Sequence, residues 1–508
     1  MRPLTVMEKV TIFGIALLIA SVALLQDKNN RQKQENRPNQ GSSRSREYPL
    51  PTKAWGEGSV LLGNATDTSV EIAIHFKSNA EAVIEYGLSG EALNQKSENL
   101  SLKAGTPFQT KLTGLKPNSE YSYRLRYKKL GETAFESSPT YRIQTQRKPG
   151  TEFMFLVQGD SHPERVPKMN IPSLYERTLL TAKAQKPDLF ICLGDDFSVD
   201  TLRERTKQTV EGVYTKQVPY LGLVGNSTPI YLVNGNHEQA AKANLDGTEN
   251  SLGVWVQNAR NRNFVQPAPD AFYSGNTEPV EHIGPLRNYF AWTWGDALFV
   301  TIDPYWHSAT AVDNAVGKGP KAEGGGKRNR NLWDITLGDS QYKWLTKTLT
   351  ESKAKYKFVF AHHVNGTGRG GIENATLYEW GGKDPRGGDL FKSKRPGWEM
   401  PIHQLFVKTG VSVFFQGHDH IFCKQELDGV IYQSCPCPAD PTNSLINGDA
   451  YRSGDKVPGA GLVRVTISPT QTKVDYLRAY EPSAETDGHK HGEVAFSYLV
   501  KPSTGANK

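Results

Sequence analysis

The sequence predicts a β-sandwich followed by a larger α/β domain, and three observations carry that reading. Between residues 55 and 146, apolar and polar residues alternate with the two-residue period of half-buried strands. Val70, Ile72, Ile74 and Phe76 form one such run, and Tyr121, Tyr123, Leu125 and Tyr127 another. After the polar stretch 146–150 the period changes, and apolar runs begin to alternate with helical patterns. Finally, five short apolar runs each stop at a turn and deliver Asp, Asn or His. Such runs are buried strands of a helix-covered sheet, and sites in such sheets lie just past the carboxyl ends of the strands.

The chain's 508 residues allow more than one domain, and 37% hydrophobic residues suffice for real cores. A net charge of +7 suits anionic substrates, but no concentrated basic tract calls for a specific nucleic acid. Four cysteines exclude a disulfide scaffold. Cys192 falls in a predicted buried strand, whereas Cys423, Cys435 and Cys437 allow one disulfide if the chain is exported. Residues 1–25 read as a signal peptide or a membrane anchor. Arg2 and Lys9 precede the apolar run 10–25, with Ser21 and Ala23 near a cleavage point. The expected location is therefore periplasmic, secreted or membrane-anchored. Residues 26–50 read as a polar linker rich in Asn, Gln, Arg and Ser.

Within the first domain, Leu115, Pro117 and Tyr121 follow one another in an L-x-P-x-x-x-Y pattern. This resembles the fibronectin type III signature, in which the tyrosine locks a corner of the sandwich. The domain shows no cluster of titratable residues and reads as structural or as a wall beside the substrate. In the second domain, a strand at 153–158 precedes a helical pattern from Ile171 with Leu174, Tyr175 and Ala182 on one face. Lys186 and Pro187 stop it before the next strand at Leu189, which makes a βαβ unit. Further helices fit 340–349, with Asp339 as N-cap, and 401–409, closed by Gly410. Strands fit 290–294 and 298–302, and hairpins fit 430–434, 462–467 and 473–477. Insertions at 239–288, 306–333 and 365–398 read as long irregular loops, which in compact domains serve function. The end from Glu481 reads as a mobile tail.

The chemistry lies where the five runs stop. Two metal ions roughly 3.5–4 Å apart clamp the attacking and leaving oxygens of a phosphoryl displacement. Such a pair needs one bridging carboxylate with nitrogen and oxygen ligands on each side. Asp160, His162, Asp195, Asn236, His362, His418 and His420 supply that inventory. Asp196, Asp303 and Asp419 are candidates to accept the second N–H of the ligating histidines. His237, directly after Asn236, belongs at the mouth, where it suits general-acid work on the leaving group or orientation of a neighbour. His363 points away from His362 on a strand, so burial or a supporting hydrogen bond stands beside substrate contact. Arg369, in the glycine-rich and basic insertion that follows, is placed to grip an anion or to stay solvated. His75, His282, His307 and His403 read as ordinary surface or core residues.

The order of these motifs carries a resemblance. Asp160-Ser161-His162, Gly194-Asp195, Gly235-Asn236-His237-Glu238, Val359-Phe360-Ala361-His362 and Gly417-His418-Asp419-His420 stand in sequence. They resemble the calcineurin-like metallophosphoesterases, and more closely the purple acid phosphatases, which also carry a fibronectin-like N-terminal domain. The resemblance implies a fibronectin type III-like sandwich at 55–146 and a metallophosphoesterase domain at 150–480, of two packed mixed β-sheets flanked by helices, with a tail at 481–508. It implies that Asp160, His162 and His420 hold one ion, that Asn236, His362 and His418 hold a second, and that Asp195 bridges them. His237 would contact the phosphate, with Asn236, His363 and Arg369 as further substrate contacts. The expected activity is phosphomonoester hydrolysis by a metal-bridging hydroxide, on a small phosphate ester or nucleotide. Phosphodiesterase or nucleotide pyrophosphatase activity is the alternative. A surface-binding protein with a dead centre would have lost a ligand, and this chain keeps them all. One departure matters: purple acid phosphatases carry a tyrosine three residues after the bridging aspartate, where this chain has Ser198. With His162 as an added neutral ligand, two divalent ions (Mn, Zn or Fe) are expected.

Overall fold

The computed structural model describes residues 48–309, 331–366 and 368–502. The expected signal or anchor and nearly all of the polar linker lie outside these residues, as does most of the 306–333 insertion.

Residues from Gly58 onward build two antiparallel sheets. One pairs Gly58–Gly63, Ser69–Phe76 and Phe108–Thr113. The other is centred on Ala80–Leu88 and Glu120–Lys129. Alternation explains both: Val70, Ile72 and Ile74 from one sheet and Tyr121, Tyr123, Leu125 and Tyr127 from the other are buried in a common apolar core. Contrary to the sequence reading, charged side chains do cluster in this region. The buried Glu85 carboxylate accepts from Arg124 at 2.7 Å and Arg126 at 3.3 Å.

The α/β part consists of two mixed sheets. Six strands run in the order Ile230–Leu232, Leu189–Cys192, Phe153–Gln158, Ala460–Ile467, Thr472–Ala479 and Val494–Val500. The first three are parallel and the rest antiparallel. Eight strands form the other sheet, with Ala297–Thr301, Tyr356–Phe360, Val413–Gln416 and Val430–Ser434 parallel at its centre. The sheets meet face to face through aromatic rings. Phe155 packs 5.0 Å from Phe299, 5.2 Å from Phe358 and 6.1 Å from Phe415, centroid to centroid. Val359 points the other way and joins Leu345, Leu349, Leu405 and Phe406 beneath helices Gly338–Glu351 and Ile402–Thr409.

Several expectations give way here. Asp339 is not the N-cap of its helix; Leu337 holds that position, and the Asp339 carboxylate accepts from Trp398 Nε1 at 2.7 Å. The insertion 239–288 contains the helix Leu252–Asn263. The insertion 365–398 folds into short helices that bury Trp380 and Trp398. Within the expected tail, Val494–Val500 is an edge strand paired with Thr472–Ala479, and residues 503–508 lie outside the described residues. His491 shares a hydrogen bond with Thr181 at 2.7 Å. All four cysteines are buried free thiols, so the disulfide allowed by the sequence does not form.

The sandwich and the sheets belong to one compact unit, and small residues let them close up. A Cβ on Gly63 would lie 2.3 Å from the carbonyl oxygen of Val265. Tyr123 donates to the Asn226 carbonyl at 2.7 Å, and Tyr273 to that of Ala65 at 2.6 Å.

Candidate metal centre

The five motifs meet at the carboxyl ends of strands from both sheets, because parallel strands place all their C-terminal loops on one edge. The loops turn sharply there. His162, Asp195, His418 and His420 have φ of 44°, 58°, 64° and 60°, the left-handed region that side chains ordinarily avoid and that clusters at functional sites. Two glycines make the approach possible. A Cβ on Gly417 would lie 2.4 Å from Asp160 Oδ1, and one on Gly235 would lie 2.3 Å from Asp195 Oδ1. In each case the same oxygen accepts a neighbouring backbone N–H: His418 N to Asp160 at 2.7 Å and His237 N to Asp195 at 2.8 Å. With Oδ1 tied down, Oδ2 of each carboxylate faces the centre.

Imidazole nitrogens surround those two oxygens. His420 Nε2 lies 3.0 Å and His162 Nε2 3.5 Å from Asp160 Oδ2. Asp195 Oδ2 lies 3.0 Å from His362 Nε2, 3.7 Å from His237 Nε2 and 3.9 Å from His162 Nε2. The nitrogens also crowd one another, His162 to His420 at 3.2 Å and His362 to His418 at 3.3 Å. Asp160, His162 and His420 form one group able to hold a cation, and Asp160, Asp195, His362 and His418 another. The donor set fits metal ions on a direct observation: Asp160 Oδ2 and Asn236 Oδ1 are buried without a hydrogen-bond partner, a state that costs free energy unless a cation takes them up.

Electrostatics agree. Burial alone would raise the carboxyls of Asp160 and Asp195, but His362 beside both holds them well below the usual range. Burial opposes charge on His162, yet Glu164 and Asp160 lift it to about 9. Asp195 and Asp160 likewise overcome burial and lift His362 to about 10. Burial, and then the Asp195 charge, push Glu238 well above its ordinary value.

Residues 153–422, just over half the chain, match the calcineurin-like phosphoesterase family. The chain belongs to that family. Among solved structures it is similar to one described as PhoD, with 16% identity, a TM-score of 0.60, and coverage of 88% of this chain and 90% of that one. It is also similar to the purple acid phosphatase PPD1 from seeds of yellow lupin (Lupinus luteus), with 16% identity, a TM-score of 0.53, and coverage of 87% and 74%. At such identity the likeness is one of fold. No curated protein matches the chain by sequence. This calcineurin-like phosphoesterase is a metal-dependent phosphoester hydrolase with a His/Asp cluster placed to hold metal ions.

In this phosphoesterase, the supporting partners differ from those expected. Asp196, Asp303 and Asp419 do not take the histidine N–H groups. They accept instead from Gln158, from Asn234 and Asn288, and from Tyr451 and Arg369 respectively. His162 donates Nδ1–H to Glu164 at 2.9 Å, and His362 donates Nδ1–H to the Leu193 carbonyl at 2.8 Å. His363 is buried against the site rather than open to substrate. It stacks on His418 at 4.0 Å, and its Nδ1 meets the Tyr305 hydroxyl at 2.8 Å. Arg369 spends NH1 on Asp419 and the His418 carbonyl, which ties the insertion to the last motif.

Four residues escaped the sequence reading. Asp200 meets His237 Nδ1 at 2.8 Å, and Arg165 donates to His237 Nε2 at 2.8 Å. Glu164 joins His162 to Arg165. Glu238 closes the interior, accepting from the backbone of Asp195, Gly235 and Phe197 at 3.1, 2.8 and 3.1 Å. Its place in the N-H-E triplet was the only signal. Glu164 and Arg165 could have been sought beside His162, and Asp200 five residues past Asp195.

Proposed function

We propose that this chain is a phosphomonoesterase acting on small phosphate esters or nucleotides through two divalent ions, Mn, Zn or Fe. The convergence of five strand-end loops on the Oδ2 atoms of Asp160 and Asp195 carries the reading. Asp160, His162 and His420 would hold one ion, Asn236, His362 and His418 the other, with Asp195 between them. When bound, such a pair activates water and clamps the phosphoryl group as a Lewis acid.

The chain's own residues would do the rest. Glu164 and the Leu193 carbonyl fix the rings of His162 and His362, so that each presents Nε2 inward. Asp200 orients His237, whose Nε2 faces the centre 3.7 Å from Asp195 Oδ2. That nitrogen is placed to carry a proton to the departing oxygen, the task of a general acid. His363, Tyr305 and Arg369 would support the loops.

The N-terminal sandwich is read as fibronectin type III-like. Support comes from its corner, where the Tyr121 hydroxyl accepts the Lys116 N–H at 2.8 Å, the contact the L-x-P-x-x-x-Y spacing implies. Export through residues 1–25, cleaved or retained as an anchor, belongs to the same proposal. Among the described residues no helix is long and apolar enough to cross a membrane.

A substrate panel with metal analysis tests the function. Hydrolysis of p-nitrophenyl phosphate faster than of bis(p-nitrophenyl) phosphate or a dinucleotide, lost on chelation and restored by Mn²⁺ or Zn²⁺, is the expected outcome. Preference for the diester or the pyrophosphate would replace the phosphomonoesterase reading.

A further inference from the structure

Arg165 occupies a place that the metal and proton-transfer machinery does not account for. It follows the Asp160-Ser161-His162 motif by three residues, and its N–H closes a turn on the His162 carbonyl at 3.0 Å. Its guanidinium is held on three sides: Nε to Glu164 Oε1 at 3.2 Å, NH1 to Met169 Sδ at 3.3 Å, and NH2 to His237 Nε2 at 2.8 Å. Glu164 Oε1 also takes His162 Nδ1–H. Asp200, His237, Arg165, Glu164 and His162 thus form an unbroken hydrogen-bonded chain over the centre. The Arg165 side chain keeps 31% of its surface exposed, in contrast to the fully buried His162.

An arginine can only donate, so Nε2 of His237 is the acceptor in this arrangement. A phosphoryl oxygen arriving at that spot is a stronger acceptor for the guanidinium than an imidazole nitrogen or a thioether. A monoester brings three non-bridging oxygens and two negative charges, whereas a diester has replaced one oxygen with an ester group. A guanidinium beside the general acid thus selects for the oxygen that only the monoester offers.

We infer that Arg165 binds a non-bridging phosphoryl oxygen and makes the site selective for phosphate monoesters, an assignment that rests on the phosphomonoesterase reading. Arg165→Ala in the metal-loaded full chain tests it, with p-nitrophenyl phosphate and bis(p-nitrophenyl) phosphate as the substrate pair. kcat/KM for the monoester should fall roughly 10- to 100-fold, the loss of one charge-assisted hydrogen bond, while the diester changes little. The affinity for inorganic phosphate, read by titration calorimetry, should fall by a similar factor with the metal content unchanged. Arg165→Lys keeps the charge without the fork and should lie between; it also preserves the test if the alanine variant does not fold. Equal losses on both substrates, or an unaltered phosphate affinity, would overturn the assignment while leaving the phosphomonoesterase reading standing. A wild-type protein that takes only the diester would overturn both.

Discussion

His237 and Asp200 form a hydrogen-bonded pair, Nδ1 to Oδ1 at 2.8 Å. Since Arg165 donates to the other ring nitrogen, the ring proton sits on Nδ1 and the carboxylate fixes the imidazole's orientation. His237→Ala should retain both metals and lose on the order of 10²–10⁴-fold in kcat with a poor leaving group. Asp200→Ala should lose less, because the ring remains. Both variants should recover with p-nitrophenyl phosphate, whose p-nitrophenolate departs without a proton. Uniform loss across leaving groups, in a series of aryl and alkyl phosphates, would assign His237 to phosphate positioning instead.

No phenol reaches the centre among the described residues. Ser198 stands where a tyrosine is found in purple acid phosphatases, its hydroxyl 3.5 Å from His162 Nδ1. Tyr305 is engaged with His363, and Tyr231 points away to Tyr273 at 3.0 Å. The protein loaded with ferric iron should therefore show no intense visible band. A strong absorption abolished by Tyr305→Phe would contradict this.

Metal binding should release protons. In the ion-free protein His162 is lifted to about 9 and His362 to about 10, so both rings are charged at neutral pH. A folded-state value raised above the ordinary 6.5 means the proton is held until the pH climbs through 9 to 10. Divalent ions must displace it, so their affinity should rise with pH across 7 to 9. Calorimetric titrations at pH 7.5 in buffers of different ionisation enthalpy should show net proton release. A pH-independent affinity would contradict the inward placement of these nitrogens.

The strands were legible because their signals are local: an apolar run, a glycine and a polar ligand. The helix Lys207–Gly225 was not, since its second half is buried all round and carries Pro219, leaving no amphipathic stripe to read. Leu252–Asn263 hides for a different reason. It buries Arg260, Gln257 and Asn263, with the Arg260 guanidinium donating to the carbonyl of Leu232 at 2.7 Å. In the site, the ligand types announced themselves in the motifs, whereas the pairing of His237 with Asp200 and Arg165 depends on how three loops fold over one another.

The corner of the sandwich offers a test away from the chemistry. Tyr121 is buried, and its hydroxyl takes a backbone N–H that has no other described partner. Tyr121→Phe should lower stability by about 1–2 kcal/mol, seen as an earlier thermal unfolding with kcat unchanged. An unaltered melting temperature would remove the corner from the account.

Asp195 is the residue expected to serve two ions at once. Its Oδ2 lies 3.0 Å from His362 Nε2 and 3.9 Å from His162 Nε2, between the two sets of imidazoles. Elemental analysis of wild type and Asp195→Ala, purified and loaded identically, measures this directly. The wild type should hold a pair of divalent ions per chain, and the variant should lose both together with hydrolysis. Retention of both ions by the variant would contradict the account.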